Sequence, residues 1–420
     1  MNSLLLGATL AALPPAGVVP DVTVYEGAVV WDDGVLGPRD VIVSGGRILG
    51  SIPDGATVTR VSMGGKYVVP ALANAHTHLT AASEAQSWDY LKDGVFYAWN
   101  PNLIWLGDEW ADFMARPDTY DVVTSYGGLT EPGGHPERLY VKQLRQWVYK
   151  DRAEDSFLGD AFHYARTEEE GRKALDQLTA QGAGFVKMLL VFSEEYSERR
   201  DDPERYGSKG LNPAMVPFLV REATARGMPA YFHVETDFDL RTAALAGAQF
   251  AGHLPGYIGG ESPAYAISDE TVAAMVAGGM VVVPTYGLGR QQWAQIDEAD
   301  DADVALREKA FAVQGANLAK LAAAGVPILT GTDSALHVRD EMQQWVDVGG
   351  MDWSKALESA FTTARYLFPD RRIQCFAPGC EADFLVLGTS PEAGVAALED
   401  IEMRVKAGRL LEPPAPKPAG

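Results

Sequence analysis

Metal-binding side chains at the ends of short apolar runs restrict the fold of this chain more than any other sequence feature. Each run has the length and composition of a β-strand. The side chains extend over about 260 positions, so only a barrel or a large sheet can bring them together. They are His76 and His78 in Ala-His-Thr-His-Leu, His233 in Phe-His-Val-Glu, His253 in Ala-Gly-His-Leu-Pro and Asp333 in Gly-Thr-Asp-Ser.

The middle of the chain repeats a strand-then-helix order, which predicts parallel strands. Three helical patterns each end at a glycine and lead into an apolar run. No glycine-rich dinucleotide fingerprint follows any of the predicted strands, which disfavours a Rossmann fold. The pattern therefore predicts an α/β chain with a (β/α)8 TIM barrel. The predicted helices are 168–181, 213–226 and 309–324, and the predicted strands are 185–190, 230–234, 278–284 and 326–329.

Both ends of the chain are rich in strand and turn signals. Residues 22–52 alternate apolar segments with Asp-Asp-Gly, Gly-Pro and Gly-Gly turns, which predicts a small antiparallel sheet. Residues 382–387 and 403–411 are also predicted strands. We therefore expect a small β-sandwich domain that is built from both chain ends. The predicted boundaries are 21–65 and 370–415 for the β-domain and 66–369 for the barrel.

Composition and charge restrict the class of partner. Apolar residues make up 47% and charged residues 22% of the chain, as in globular proteins. The formal net charge of −22 argues against nucleic acid and anionic membranes as partners. We expect a small-molecule substrate, no nucleic acid and no stable membrane insertion, and we leave homo-oligomer formation open.

Two further features of the sequence concern the cellular compartment of the protein. Residues 4–13 form an apolar run that is too short to span a bilayer and has no basic residue before it. We interpret residues 1–20 as a signal peptide, which predicts a periplasmic or secreted protein; without it the protein would be cytoplasmic. We expect Cys375 and Cys380 to be ordinary thiols, with one small disulfide loop as the alternative in an oxidising compartment.

Lys187 lies inside the apolar run Phe-Val-Lys-Met, where an unpaired ammonium group is costly. Reaction with carbon dioxide would convert this amine into a carbamate that can bridge two metal ions. The alternative is a lysine that extends to solvent or pairs with a carboxylate. His76 and His78 are two positions apart on a strand, so both imidazoles point to one face and can hold one metal ion. We therefore favour the carbamate for Lys187.

These residues, in the order His-x-His, Lys, His, His, Asp between β-rich ends, resemble the amidohydrolase superfamily in its binuclear, carboxylated-lysine form. Residues 70–79 match the first-strand motif of this superfamily, and residues 378–387 match its C-terminal Pro-Gly-x-x-Ala-Asp strand. Gly133–His135 and the Glu-Glu-Tyr run after Lys187 resemble a branch with imidodipeptidase-like members and members of unknown substrate.

The resemblance implies a binuclear metal centre and a metal-dependent hydrolase acting on an amide, dipeptide or cyclic amide C–N bond. His76, His78 and Asp333 would bind one divalent metal ion. His233 and His253 would bind the second, with carboxylated Lys187 bridging the two. A metal-bound hydroxide would attack the carbonyl, with Asp333 as general base and then general acid. Zinc is the default for these ligands, and carbon dioxide is needed for the lysine carbamate.

The sequence allows two roles for each of two residues near these ligands, His135 and Glu235. His135 lies in a Gly-rich loop, which suits either a substrate contact or an ordinary turn. Glu235 shares a strand face with His233, so it would either bind a substrate group or orient the histidine. Two alternative functions also remain. In a mononuclear deaminase, Lys187 would have no role in metal binding. A non-catalytic binding protein with this fold would not need the metal ligands.

Overall fold

The computed structural model describes residues 21–78, 83–256, 262–288, 301–333 and 337–414, with only the backbone described at 301–303. The predicted signal peptide at residues 1–20 lies outside these ranges, as does residue 415 at the end of the predicted β-domain. Within the described ranges, no helix combines the length and the apolar composition needed to cross a lipid bilayer.

Strands from both ends of the chain form one eight-stranded sheet. Asp21–Asp32 pairs antiparallel with Val35–Ser44 and parallel with Thr57–Ser62 and Tyr67–Pro70. Near the other end, Phe384–Leu387 pairs antiparallel with Tyr67–Pro70. Two strands that are more than 300 residues apart are therefore direct neighbours. The remaining strands of this sheet are Arg47–Leu49, Ile401–Lys406 and Arg409–Leu410.

This sheet has an apolar core of its own, separate from the core of the larger domain. The rings of Tyr25 and Phe384 meet edge to face at 5.1 Å, and Val68 is fully buried beside them. Alternate residues of Asp21–Asp32 and Val35–Ser44 point into this core, as expected for a sheet with one covered face.

Cys375 and Cys380 form a disulfide, so the expectation of two ordinary thiols is wrong. The backbone reverses between Gln374, with φ of 50°, and Gly379, with φ of 86°. This reversal brings the two Cα atoms to 5.9 Å, within the range that a disulfide requires. The five-residue spacing alone does not determine whether a loop turns in this way.

The central part of the chain contains two sheets in which all strands are parallel. The parallel direction agrees with the predicted strand-then-helix order. One sheet consists of Leu72–Asn74, Val95–Pro101 and Asp121–Tyr126. The other has the spatial order Phe162–Tyr164, Gly128–Thr130, Val186–Leu189, Ala230–His233, Phe250–Gly252 and Val281–Val283.

Backbone hydrogen bonds link the three-stranded parallel sheet to segments that flank strands of the six-stranded sheet. Gly184 N donates to Thr124 O at 3.0 Å, and Ala75 N donates to Thr330 O at 2.8 Å. The predicted strand at 326–329 does not form as a regular strand. It makes a single bridge between Ile328 and Val282, since Pro327 has no N–H to contribute to a ladder.

Helices connect the parallel strands and cover their outer faces. Glu168–Ala180 is typical: the side chain of Thr167 caps its first turn, and Leu175 and Leu178 are fully buried against the core. The other α-helices are Glu84–Lys92, Asp108–Met114, Arg145–Trp147, Tyr196–Arg199, Val216–Ala225, Asp237–Leu245, Asp269–Gly278, Asp301–Ala323, Val338–Asp347, Trp353–Ala360 and Thr363–Leu367. A π-helix spans Leu139–Leu144, and short 3-10 helices span Glu154–Phe157, Ser193–Glu195, Pro203–Arg205, Pro213–Met215, Pro263–Tyr265, Pro391–Ala393 and Val395–Glu399.

Candidate active site

The candidate residues meet at the carboxyl ends of the parallel strands. They line one cavity of about 570 Å³, which is within the usual range for small-molecule sites. Side chains from segments far apart in the sequence are thus brought to one place, as the positions at strand ends predicted. The predicted residues that line the cavity are His76, His78, His135, Lys187, His233, His253 and Asp333.

His76, His78 and Asp333 form the tightest group. Their ligand atoms all lie within 4.8 Å of one another. Asp333 Oδ1 lies 2.7 Å from His78 Nε2 and 3.6 Å from His76 Nε2. Asp333 N also donates to His76 O at 2.9 Å, which fixes the two segments together. Two imidazoles and a carboxylate are a ligand set that Zn²⁺ and related divalent ions accept.

Three further imidazole rings lie next to this group, those of His253, His233 and His135. His253 Nε2 lies 3.8 Å from Asp333 Oδ2, and its ring centre is 4.9 Å from that of His76. The ring centre of His233 lies 4.6 Å from that of His253. His135 stacks on His233, also at 4.6 Å. The predicted His233 and His253 pair therefore lies beside the His76 and His78 pair.

Burial favours the neutral form of four of these imidazoles, those of His76, His135, His233 and His253. Desolvation, followed by repulsion from Lys187 and the other histidines, holds the pKa of His76 well below its usual range. Burial lowers the pKa of His233 to about 3. Desolvation also lowers the pKa values of His135 and His253 well below their usual range. A neutral imidazole retains a lone pair, which is the form that binds metal ions.

Hydroxyl groups of neighbouring side chains lie within hydrogen-bond distance of one ring nitrogen of His76 and one of His253. Tyr231 Oη lies 2.8 Å from His76 Nδ1, and Thr285 Oγ1 lies 2.7 Å from His253 Nδ1. In the tautomers with Nδ1–H donating to these oxygens, Nε2 keeps its lone pair on the side of Asp333. Such partners fix the tautomer and the ring orientation of a metal ligand.

Glu235 contacts a ligand histidine directly. Its Oε1 lies 3.0 Å from His233 Nε2, and its side chain is buried. With Nε2–H donating to this carboxylate, the Nδ1 lone pair of His233 is available to a metal ion. Of the two roles that the sequence left open for Glu235, this contact favours orientation of His233.

Lys187 is buried in the middle of the site with only 2% of its surface exposed. Among the described residues, its Nζ has no hydrogen-bond partner, and it lies 4.3 Å above the ring of Tyr231. Desolvation lowers the pKa of Lys187 to about 7. The predicted alternative, a lysine that extends to solvent or pairs with a carboxylate, does not match this position. A neutral amine is the form that reacts with carbon dioxide.

The backbone at the site adopts unusual conformations. His253 and Asp333 have φ of 76° and 48°, and Thr285, which supports His253, has φ of 47°. Residues other than glycine rarely adopt such values, and each costs about 1–3 kcal/mol. Conformations of this kind cluster at functional sites, where they aim side chains into a cleft.

Two buried carboxylates connect the loops that carry these residues. Asp239 accepts from the backbone N–H groups of Phe192 and Ser193, at 3.0 and 2.9 Å, and from that of Glu235 at 3.1 Å. It thereby ties the loop after the Lys187 strand to the loop after the His233 strand. Glu341 accepts from Tyr286 N and Gly287 N, both at 2.6 Å, and from Trp345 Nε1 at 2.9 Å.

The sequence pattern did not predict four residues that support the site. Tyr231 was detectable, since it lies two positions before His233 and therefore shares its strand face. Thr285 follows an apolar run directly, as the predicted ligands do. For Asp239 and Glu341, which lie on helices, the sequence offers no comparable signal.

Comparison with known proteins gives a family match and structural neighbours. A model of the Amidohydrolase family matches residues 168–411. No curated protein sequence matches the chain. The structure of A. niger ochratoxinase is 19% identical, with a TM-score of 0.73, over 95% of this chain and 97% of that chain. A Xaa-Pro dipeptidase with bound methionine in its active site is 18% identical, with a TM-score of 0.69, over 93% and 100%. A putative prolidase from Bifidobacterium longum is 20% identical, with a TM-score of 0.69, over 96% and 97%. At these identities the likeness concerns the fold.

Proposed function

The chain belongs to the amidohydrolase family, and from this premise we propose that it is a metal-dependent hydrolase of a C–N bond in an amide, dipeptide or cyclic amide. The observation that carries the proposal is the cavity in which five histidines, a buried lysine and an aspartate converge. Structural neighbours that include a dipeptidase, a molinate hydrolase and a phenylurea hydrolase are consistent with this choice of bond.

We also infer that the two parallel sheets belong to one closed (β/α)8 barrel over residues 66–369. The hydrogen bonds from Gly184 to Thr124 and from Ala75 to Thr330 support closure at both edges. Residues 21–65 and 370–415 would form the small β-domain. Catalytic side chains at the carboxyl ends of strands are the usual arrangement in such barrels.

The donor set fits two divalent metal ions, with zinc as the default. His76, His78 and Asp333 would hold one ion, and His233 and His253 would hold the other. Lys187, as a carbamate, would lie between them; its buried Nζ without a partner supports this assignment. When bound, such ions lower the pKa of water and polarise a substrate carbonyl.

The protein side chains would orient the substrate and move the proton. Asp333 would accept a proton from the attacking water at a carboxylate oxygen and return it to the leaving nitrogen. His135, stacked on His233 at the cavity wall, would act as a neutral hydrogen-bond partner for substrate, because its pKa is lowered by burial. Glu235 would hold His233 in its metal-binding orientation.

A mononuclear deaminase is the second candidate function. It is favoured by one observation, the compact group of His76, His78 and Asp333, which offers three metal ligands by itself. In that case Lys187 has no role in the chemistry. The two candidates differ in the number of ions that each chain binds.

Elemental analysis of the purified protein is expected to give about two divalent ions per chain, because the ligands form two groups. His253→Ala should lower this number to about one. His337→Ala is the control, since His337 pairs with Asp93 in a half-exposed contact and does not line the cavity. A wild-type protein that never exceeds one ion under saturating metal would exclude the binuclear site.

Glu235→Gln is expected to weaken metal retention by about 10- to 100-fold, the usual effect of losing a partner that orients a ligand histidine. The measurement is the metal affinity from competition with a chelator. Glu194→Gln provides a matched control, because Glu194 accepts from the neighbouring Thr236 Oγ1 at 2.9 Å. Unchanged affinity in Glu235→Gln with an altered substrate preference would instead assign Glu235 to substrate binding.

A further inference from the structure

One side of the candidate active-site cavity is formed by apolar and aromatic side chains. We define the apolar wall as the six lining residues Leu103, Leu139, Tyr140, Leu144, Tyr149 and Leu288. It shares the cavity with the candidate metal ligands, so a molecule that binds at the ligands lies in the same cavity as the wall. Apolar surface in an open cavity is costly in water, and it is typical of a ligand-binding surface.

The wall is connected to the ligand cluster by a short stretch of chain. His135 stacks on His233, and four residues later the chain enters the π-helix Leu139–Leu144. Arg145 N donates to Tyr140 O and Tyr149 N donates to Leu144 O, both over five residues. π-helical segments are rare and occur frequently at functional sites. This segment places three of the six wall residues.

The two tyrosines of the wall, Tyr140 and Tyr149, are fixed by contacts with their neighbours. Tyr140 donates its hydroxyl to Asn102 O at 2.7 Å, so its polar tip is already satisfied and its ring faces the cavity as hydrocarbon. Its ring lies 6.1 Å from that of Tyr149, and both pack on Phe157 at 5.9 and 5.8 Å. Phe157 and Tyr140 belong to one small apolar cluster, and Leu144 and Tyr149 pack against it. The wall is therefore backed by a fixed core.

We propose that the apolar wall selects the substrate, and that this substrate is an amide with a bulky apolar group, either an aromatic ring or a branched aliphatic chain, beside the scissile bond. This inference rests on the proposed function for the identity of the bond. The polar residues Gln143 and Arg138 also line this cavity, and both are exposed to solvent. The wall itself thus offers dispersion contacts and exclusion of water from the apolar group.

The test measures binding of two carboxylic acids, acetate and phenylacetate, to the metal-loaded enzyme by calorimetry. Both probes carry the same carboxylate, so the ratio of their dissociation constants reports the apolar group alone. We expect phenylacetate to bind at least about tenfold more tightly than acetate, since one methylene in an apolar pocket is worth about tenfold or more. Hydrolysis is not measured, so this result is independent of whether any amide is cleaved.

Two variants test whether the apolar wall causes the preference for phenylacetate over acetate. Leu144→Ser should lower the ratio by about tenfold, and Gln143→Leu, which extends the wall, should raise it. Val148→Ser is the matched control, because Val148 lies on the same segment, is exposed and does not line the cavity. A ratio near one in the wild-type enzyme overturns the inference. A wild-type preference that both Leu144→Ser and Gln143→Leu leave unchanged also overturns it. Cleavage of no amide, with the expected ratios, would contradict the proposed function and leave the wall intact.

Discussion

Lys187→Ala is expected to lose metal and activity together, with both lowered by more than about 100-fold, since even residues that only orient a metal ligand contribute 10- to 100-fold. Lys187 is buried and its Nζ has no hydrogen-bond partner in the described part of the chain. Attack of this amine on carbon dioxide forms an N–C bond, releases a proton and yields a carboxylate. As proposed, that product would replace a costly buried amine with a ligand for two metal ions. Metal content and turnover are measured on the same preparation.

Two controls separate ligation by Lys187 from packing. Lys187→Met retains the length of the side chain without the amine, so it should lose metal and activity as fully as Lys187→Ala does. A short carboxylic acid such as propionate should partly restore both in Lys187→Ala, where the cavity left by the side chain can admit it. Full metal content and turnover in either variant would show that Lys187 does not bridge the ions.

Asp333→Asn is expected to lower kcat by about 10²- to 10⁴-fold, the usual contribution of a group that takes and returns a proton. KM should change little, and most of the metal should remain bound. Asparagine is the appropriate replacement because it tolerates the left-handed backbone that Asp333 adopts, with φ of 48°. The fold and the hydrogen bond from Asp333 N to His76 O are therefore retained.

Asp33→Asn provides a matched control for this variant. Asp33 also has a left-handed backbone, with φ of 46°, and it pairs with Arg365 away from the cavity. It should show wild-type kinetics, so a loss confined to Asp333→Asn reflects the carboxylate and not the turn. A fully metallated Asp333→Asn enzyme with near-normal kcat would remove Asp333 from the mechanism.

The convergence of the ligands could be predicted because it depends on strand ends. His233, His253 and Asp333 each follow an apolar run, and the carboxyl ends of parallel strands meet at one edge. His76 and His78 were expected on a strand, but the strand Leu72–Asn74 ends before them. Both nevertheless lie near Asp333, as their two-residue spacing suggested. Inferences of this kind need no information on side-chain packing. The periodicity and the order of the elements along the chain are therefore sufficient for them.

The supporting contacts could not be predicted in the same way. Glu341 lies on a helix and reaches the loop after another strand, a contact between elements more than 50 residues apart. The position of the apolar wall depends on a π-helix, for which the sequence has no simple pattern. The disulfide depends on a local reversal at Gln374 and Gly379. Each of these features is determined by tertiary structure and not by the local sequence.

The pairing of Tyr67–Pro70 with Phe384–Leu387 has a consequence for how the protein is made. A ribosome adds about 5 to 20 residues per second, so the earlier strand waits roughly 15 to 60 seconds for its partner. During that time the unpaired edge of Tyr67–Pro70 is exposed, and such edges readily pair with other chains. Completion of this sheet is therefore a late event of biosynthesis, and chaperones that cover strand edges should improve the yield of folded protein.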